Sequence, residues 1–493
     1  MKKFLKNLLL STAVLSISAL IFTACGTTSG TDNDKQTEVI DVPEDETNAV
    51  DEKKNQEKEV IEEAMDESED PVNVVFAKNL QKELRAGNVK KAIELFEAIP
   101  EELNGDEDME MLRASLYVSD GNYAAALDIA NNLLNTNPDN TEALELVALL
   151  SRASGDNNTY KATAKKILQK DPFNPSVNIM QGEDYALNHK YKLAKESYNK
   201  ALKSEPDNSD ALYGYAQMSY YLNDLKTAKD TTQRILEKEP ENSAALAFMG
   251  KLAAEDSNYV RAVKYTKDAI KYEPNNYLYY LDLGNYYVQQ GKNTDAIAAW
   301  DKAIDIDPEY FLAYAYRAGC YDEMGKYEEA LENYRMVIKT NPKYYYAYES
   351  TGMLAYHFGN YDEAREYFDQ AYNYSKYFGY KLLNAASYFK AGDSFHGKQV
   401  ITSLLKTLDR NSVEYDLVRM YGDTYSRNAA ANLLSKIAKL DNSTKKGRMW
   451  FYLGLYYEVN GSMESATEYY SKVTKMQAPM FFEYRLAEWS LGL

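Results

Sequence analysis

The sequence predicts an all-α solenoid built from pairs of antiparallel helices. Prolines that recur every 34 residues are the first indication: Pro138, Pro172, Pro206, Pro240, Pro274, Pro308 and Pro342. Glycine or alanine at three further positions of the same period is the second. Because proline cannot continue a helix and small residues let two helices approach closely, each period accommodates two helices and a turn.

The stretch 277–310 contains all of these positions. Gly284 and Ala296 are expected where the two helices cross, and Gly291 in the turn, where a positive φ is needed. Pro308 then ends the second helix. In other repeats, Thr141, Ser209 and Ser243 follow the proline and are predicted to cap the next helix.

This stretch, YLYYLDLGNYYVQQGKNTDAIAAWDKAIDIDPEY, resembles the tetratricopeptide (TPR) repeat. The resemblance implies a superhelical solenoid whose first helices line a concave groove. We expect about nine clear repeats, with a TPR array over 71–376 and a C-terminal repeat with a closing helix over 447–493. Tyr160 stands at the alanine position of the third repeat, which predicts a looser helix pair there.

The stretch 377–446 departs from the pattern. Asp393 and Arg427 stand where glycine is expected, and the neighbouring Gly392 indicates a slip of one residue. The stretch therefore forms either two degenerate repeats or a helical segment that is packed differently.

The amino terminus predicts export. Residues 1–24 carry Lys2, Lys3 and Lys6 and then an apolar run that is shorter than the roughly 20 residues a membrane span needs, which indicates a signal peptide. The sequence FTAC resembles the bacterial lipobox, and this implies that Cys25 is lipidated. The alternative is an ordinary secretory peptide with a chance cysteine.

Residues 25–70 are predicted to form a disordered tether. Between residues 26 and 70 we count 17 acidic and 4 basic side chains, which is too much charge and too little apolar surface for a packed core. The tether is expected to act as a solvated spacer, or alternatively as an acidic docking tail.

Catalytic, metal and cofactor sites are not expected. The three histidines, His189, His357 and His396, lie in different repeats without metal-ligand spacing, and Cys320 is the one cysteine besides Cys25. No phosphate-binding glycine loop is present, and a pI near 4.9 disfavours nucleic acid. We expect no cofactor, no enzyme activity and a protein or peptide partner.

The TPR resemblance assigns groove positions to the first helix of each repeat. The predicted partner-binding residues are Tyr213, Gln217, Tyr220, Tyr221, Lys251, Asp282, Asn285, Gln289, Tyr346, Glu349, Met353, Tyr356 and His357. Tyrosine gives a large contact area at a small entropy cost, so such a groove suits a protein partner. The alternative is that these tyrosines only pack between helices.

Residues 450–473 and the FFEYRLAEWSLG stretch also resemble the end of NlpI-type TPR lipoproteins, which are envelope adaptors. That resemblance implies an extracytoplasmic, lipid-anchored scaffold for proteins of the bacterial cell envelope. The alternative is a surface lipoprotein that binds an extracellular peptide or glycan. The anchor would be on the outer face of the cell membrane, or periplasmic at the outer membrane of a two-membrane cell.

Overall fold

The structure is a computed structural model that describes residues 71–422, 427–476 and 481–493. The predicted signal peptide, Cys25 and the acidic tether lie outside these residues. Every regular element in the described part of the chain is helical, which confirms the predicted all-α solenoid. None of these helices has the length and apolar character needed to cross a membrane.

The chain divides into two compact units, and the boundary between Thr231 and Thr232 falls inside α10 (Leu225–Lys238). The first unit contains α1 (Val72–Arg85), α2 (Val89–Glu94), a 3₁₀ turn (Leu95–Ala98), α3 (Glu107–Ser119), α4 (Tyr123–Thr136), α5 (Thr141–Ala153), α6 (Asn157–Lys170), α7 (Pro175–Leu187), α8 (Tyr191–Ser204) and α9 (Ser209–Tyr221).

The second unit continues the alternation of first and second helices. It contains α11 (Ser243–Glu255), α12 (Tyr259–Tyr272), α13 (Tyr277–Gln289), α14 (Asn293–Ile306), α15 (Phe311–Glu323), α16 (Tyr327–Thr340), α17 (Tyr346–His357), α18 (Tyr361–Ser375), α19 (Phe378–Lys390), α20 (Ser394–Leu405), α21 (Val413–Gly422), α22 (Arg427–Ala438), α23 (Ser443–Val459), α24 (Met463–Thr474) and α25 (Phe482–Leu491).

Helix starts follow the 34-residue period, but the predicted caps are one residue too late. Thr141, Ser209 and Ser243 are the first helical residues, and the true cap is the asparagine directly before each. Its side-chain oxygen accepts a hydrogen bond of 2.9–3.0 Å from the backbone N–H three residues later. A cap must lie outside the helix to reach that N–H group, which is why the first helical residue cannot serve.

The turn inside each pair takes a positive φ, as the glycine pattern predicts. Gly291 and Gly325 have φ values of 70° and 71°. In repeats without this glycine, His189, Asn223 and Ser257 adopt the same conformation, with φ between 55° and 62°. The turn geometry is therefore kept even where the residue type makes it costly.

Small residues mark the helix crossings. A Cβ added to Gly284 would lie 2.6 Å from Cε2 of Trp300, and one added to Gly182 would lie 2.8 Å from Cζ of Tyr198. Ala296 is fully buried at the same crossing as Trp300. Each of these crossings pairs a small residue on the first helix with a large ring on the second.

The repeat that contains Tyr160 packs loosely on two sides. Helices α5 and α6 pack against each other less closely than the pairs α7–α8, α13–α14 and α15–α16, in the direction that Tyr160 predicts, and α6 packs sparsely against α7 of the next repeat. The buried Tyr160 ring lies on the side of α6 that faces Asp184 on α7.

Helices also make up most of the described residues between 378 and 438. Lys376 takes a positive φ of 56° after α18, and α19 begins at Phe378, one residue before the period places it. Gly392, with φ 83°, then forms the turn before α20. Gly392 thus takes the turn conformation expected at the slipped position.

Candidate partner-binding face

Four of the predicted groove residues lie on α9 in the first compact unit. The side chains of Tyr213 and Gln217, one turn apart, are hydrogen bonded, and burial raises the pKa of the Tyr213 hydroxyl. The rings of Tyr220 and Tyr221 meet edge to face at 5.5 Å. Tyr221 is 51 % exposed and stacks at 4.8 Å on Tyr191, the first residue of α8. Of this group, Tyr221 offers the most open aromatic surface.

The next predicted residues form a polar group on α11 and α13 of the second unit. Asp282 is largely buried, and the loss of hydration raises the pKa of its carboxyl to about 6. Lys251 on α11 is close enough to oppose this shift with its positive charge. Asn285 is half-buried and Gln289 is exposed on the same helix as Asp282.

The predicted residues on α17 are not equivalent to one another. Tyr346 is 63 % exposed at the start of the helix, where its ring lies 4.1 Å from that of Tyr345. Glu349 accepts a hydrogen bond from the Tyr380 hydroxyl. Met353 and Tyr356, in contrast, are only 5 % and 8 % exposed and belong to the largest apolar cluster of the second unit. These two side chains do not line an open surface.

The cluster that buries them includes the C-terminal helix α25, which lies against the first helices of earlier repeats. Arg485 on α25 binds the carboxylate of Asp322 on α15 through both terminal guanidinium nitrogens, one of them at 2.6 Å. The ring of Trp489 lies 4.4 Å from that of His357 and 5.2 Å from that of Tyr327. The closing helix that the sequence predicts therefore covers groove positions of α15 and α17.

The first turn of α25 also packs against earlier helices, through Phe482 and Glu483. The Phe482 ring stacks on Tyr380 at 5.4 Å with an interplanar angle of 8°. Glu483 is fully buried and accepts hydrogen bonds from the hydroxyl groups of Tyr377 and Tyr452, the latter at 3.0 Å. Burial raises the pKa of the Glu483 carboxyl, and Arg448, 3.5 Å away, opposes that rise.

Helix α25 leaves some groove positions on α11, α13 and α15 uncovered, and these are here called the open inner face. It consists of Lys251, Asp282, Asn285, Gln289 and Gly319. Lys251, Asn285 and Gly319 occupy the same position of three successive repeats, 34 residues apart. No heavy atom lies within 4 Å of a Cβ built on Gly319, so there is open space above α15 at that point. The surface offers two amides and a partly desolvated carboxylate to a polar ligand.

One polar network on the first helices escaped sequence reasoning. Arg152 on α5 donates to Glu183 at 2.7 Å and to Asp184 at 2.8 Å on α7. Burial raises the pKa of Glu183, and the Arg152 charge opposes the rise. Glu183 lies 34 residues after Leu149, so no recurrence of residue type in the period marks the network.

The residues considered for metal or redox chemistry lie apart in the structure. Within residues 71–422, 427–476 and 481–493 no three His, Cys, Asp or Glu side chains are arranged to hold a metal ion. His396 is bonded to Asp393 in its own turn, and His189 to Tyr191. Cys320 is buried on α15, and burial raises the pKa of its thiol.

Comparison with known proteins assigns the family. Tetratricopeptide repeat families match residues 83–150, 185–252, 284–319 and 321–377, described as "Tetratricopeptide repeat" or "TPR repeat". The chain is a tetratricopeptide repeat protein. The matched stretches of this TPR protein include all of α9 and α17 and parts of α11 and α13, while Asp282 on α13 lies just before the stretch that begins at residue 284.

Solved structures of other TPR proteins resemble parts of the chain. PilF of Pseudomonas aeruginosa is 20 % identical over 43 % of this TPR protein and 96 % of its own chain, with a TM-score of 0.38. PilW, a type IV pilus biogenesis factor, is 21 % identical over 41 % and 94 %, also with a TM-score of 0.38. YrrB, a TPR protein with an unusual peptide-binding site, is 20 % identical over 40 % and 97 %, with a TM-score of 0.31. A comparison with curated protein sequences gives no match.

Proposed function

We propose that this TPR protein is a lipid-anchored scaffold of the bacterial cell envelope that holds a protein partner on its open inner face. TPR proteins act through protein–protein contacts, and the membership of this family supports a binding role rather than a catalytic one. The observation that carries the choice of site is Asp282, a largely buried carboxylate whose pKa is raised to about 6 on an otherwise uncovered surface.

The chemistry of Asp282 defines the partner. A carboxylate that has lost hydration gains most from a cationic hydrogen-bond donor, because the attraction between opposite charges is stronger where water is excluded. The amides of Asn285 and Gln289 on the same helix can bond to peptide groups. The expected ligand is therefore a polypeptide segment that carries a lysine or arginine, with its main chain along α13.

Photo-crosslinking in cells tests this site. A photoreactive residue placed at Gln289, on the open inner face, is expected to crosslink a discrete partner, whereas one at the exposed Lys264 on the second helix α12 is not. Asp282→Asn is expected to abolish the crosslink from position 289, with a loss of affinity of at least about tenfold. The charge-matched control Asp305→Asn, at an exposed aspartate on α14, is expected to leave it intact. An unchanged crosslink in Asp282→Asn refutes the site.

The tyrosines of α9 are proposed as a second contact region, in the first compact unit. Replacing Tyr213, Tyr220 and Tyr221 together by alanine should weaken partner binding by about thirtyfold or more, since aromatic anchors in interface centres often contribute 2 kcal/mol or more. Far-ultraviolet circular dichroism should stay unchanged. Loss of folding together with binding would indicate that these rings only pack between helices, and normal folding with normal binding would remove this region from the proposal.

The location is proposed from the amino-terminal sequence. A basic start, an apolar run and FTAC at residues 22–25 support lipidation of Cys25. Two or three acyl chains anchor a protein stably where one is marginal, so Cys25→Ala should leave a folded protein that no longer sediments with membranes. Recovery of the variant in the membrane fraction would contradict the lipoprotein proposal.

A further inference from the structure

A cleft of about 610 Å³ lies in the first compact unit, between α6 and α7 and next to the start of α8. Its cause is local. In most other repeats the position of Tyr160 holds alanine, for example the fully buried Ala194 on α8. The larger ring lies between α6 and the Asp184 carboxylate on α7, and α6 packs sparsely against α7. The cleft is thus a consequence of one substitution in the repeat pattern.

Three exposed lysines line this cleft: Lys161 and Lys165 on α6 and Lys190 directly before α8. Among the residues that the structure describes, no carboxylate lies within 4.0 Å of any of their amino groups. Some other lysines of α6 and α8 are paired, as Lys170 is with Asp139 at 2.6 Å and Lys195 with Asp224 at 3.2 Å. The three amino groups thus give one wall of the cleft a positive charge within a chain whose net charge is −19.

The floor of the cleft is formed by Tyr160 and Asp184. Tyr160 is 5 % exposed, and its hydroxyl group makes no hydrogen bond of normal geometry. Burial, followed by the negative charge of Asp184, raises the pKa of this hydroxyl, so it stays protonated and adds no negative charge to the cleft. Asp184 itself is held by Arg152 at 2.8 Å, which offsets its repulsion of an anionic ligand. The remaining lining mixes amide and aromatic groups, among them Gln169 and Tyr185.

We propose that this lysine cleft binds an acidic polypeptide segment. Carboxylates would pair with Lys161, Lys165 and Lys190, while the amide side chains of the lining bond to the peptide groups between them. The cleft lies on a face of α7 other than the one that carries Glu183, which occupies the groove position of this helix. A polypeptide fits better than a phosphate chain, because no arginine lines the cavity and apolar surface from Leu168 does.

The probe is a fluorescein-labelled peptide of residues 41–52, DVPEDETNAVDE, which carries six carboxylates and no basic side chain. Fluorescence anisotropy with the purified full-length chain should show binding that weakens as salt rises. The triple variant Lys161→Gln, Lys165→Gln, Lys190→Gln should bind at least about tenfold more weakly. The charge-matched triple Lys82→Gln, Lys90→Gln, Lys91→Gln, at exposed lysines of the first repeat, should bind like the parent.

A variant that fills the cleft separates a specific site from general attraction between charges. Gln169→Trp changes no charge and places a larger side chain in the cavity. It should also lower the affinity for the peptide by at least about tenfold if the peptide enters the cavity. The proposal would be overturned if both triple lysine variants lost affinity for the peptide equally, or if the Gln169→Trp variant bound the peptide as tightly as the parent. Tight binding of inorganic polyphosphate without binding of the peptide would also overturn it.

A further variant distinguishes two sources of the acidic segment. All six carboxylates within residues 41–52 of the chain itself are changed to the corresponding amides, and the labelled peptide is titrated again. Tighter binding than to the parent would assign the cleft to the chain's own acidic segment, because the competing carboxylates are gone. Unchanged binding would assign it to a separate acidic protein.

Discussion

Gly284 and Gly319 form a pair of positions at which the same substitution is expected to act in opposite directions. Both are interior glycines of first helices, on α13 and α15. A Cβ on Gly284 would lie 2.6 Å from Cε2 and 2.7 Å from Cδ1 of Trp300, and still closer to Nε1. A Cβ on Gly319 would meet no heavy atom within 4 Å. Gly284→Ala should therefore destabilise the fold and Gly319→Ala should not.

The magnitudes follow from the contacts. Comfortable separations are about 3.5–4.0 Å, so the Trp300 ring or the helix must move by about 1 Å. Trp300 is almost fully buried and donates a hydrogen bond of 3.2 Å to the Leu281 carbonyl, so movement disturbs both packing and that bond. Overpacking costs about 1–3 kcal/mol and a lost hydrogen bond about 1, while alanine regains about 1 in helix propensity. We expect Gly284→Ala to lose about 1–3 kcal/mol, and Gly319→Ala to gain up to about 1 kcal/mol.

Urea unfolding followed by circular dichroism and tryptophan fluorescence measures both variants. At an unchanged dependence on urea concentration, the midpoint should fall for Gly284→Ala and stay level or rise for Gly319→Ala. The Trp300 emission should change in the folded Gly284→Ala variant, because the indole is displaced. Equal shifts of both midpoints in one direction would refute the assignment of Gly284 to a helix crossing and of Gly319 to open space.

Three further outcomes are expected. The folded-state pKa of Asp282, about 6, is above its ordinary value of 3.8, so its stabilising contribution is present below about pH 4 and is lost as the pH rises through 6. Asp282→Asn should hence stabilise the fold by about 1–3 kcal/mol at pH 7.5 and hardly at pH 4; equal effects at both values would contradict the raised pKa. Ser257→Gly should raise the free energy of unfolding by about 0.5–1 kcal/mol, since Ser257 has a φ of 57°, and a lower value would argue against that conformation. Ala296→Leu should lower it by about 1–3 kcal/mol and open α13 and α14 to limited proteolysis, and an unchanged digestion pattern would mean that Ala296 does not face the crossing.

The repeat period predicts local structure to within a residue over most of the described chain. Turn glycines, the alanine at the crossing and the proline act through nearest neighbours, so their spacing alone places the start of α13 at residue 277. The sequence analysis placed the helix caps one residue too late, because threonine and serine are themselves good capping residues. The structure shows that α5 already begins at Thr141, so the preceding Asn140 is the cap.

Contacts that do not recur with the 34-residue period could not be predicted from the sequence. The lysines of the cleft carry no motif, and the one signal, Tyr160 at an alanine position, predicted a loose α5–α6 pair but not the sparse packing of α6 against α7. Met353 and Tyr356 match groove positions in the repeat, yet the C-terminal helices cover them. That cover depends on contacts between helices far apart in the sequence, such as those of Tyr356 with Lys390 and Glu458, which a 34-residue period does not predict.

The contact between Arg485 and Asp322 joins residues that are 163 positions apart. Solenoids usually fold through neighbouring contacts and can begin to do so before the whole chain has been synthesised. Here the surfaces of α15, α17 and α19 that contact α25 remain exposed until α25 has been synthesised. Closure of so long a loop costs entropy before any contact compensates for it, and it raises the contact order of the second unit. That unit is therefore expected to complete its folding late and as one cooperative block, unlike an open array of repeats.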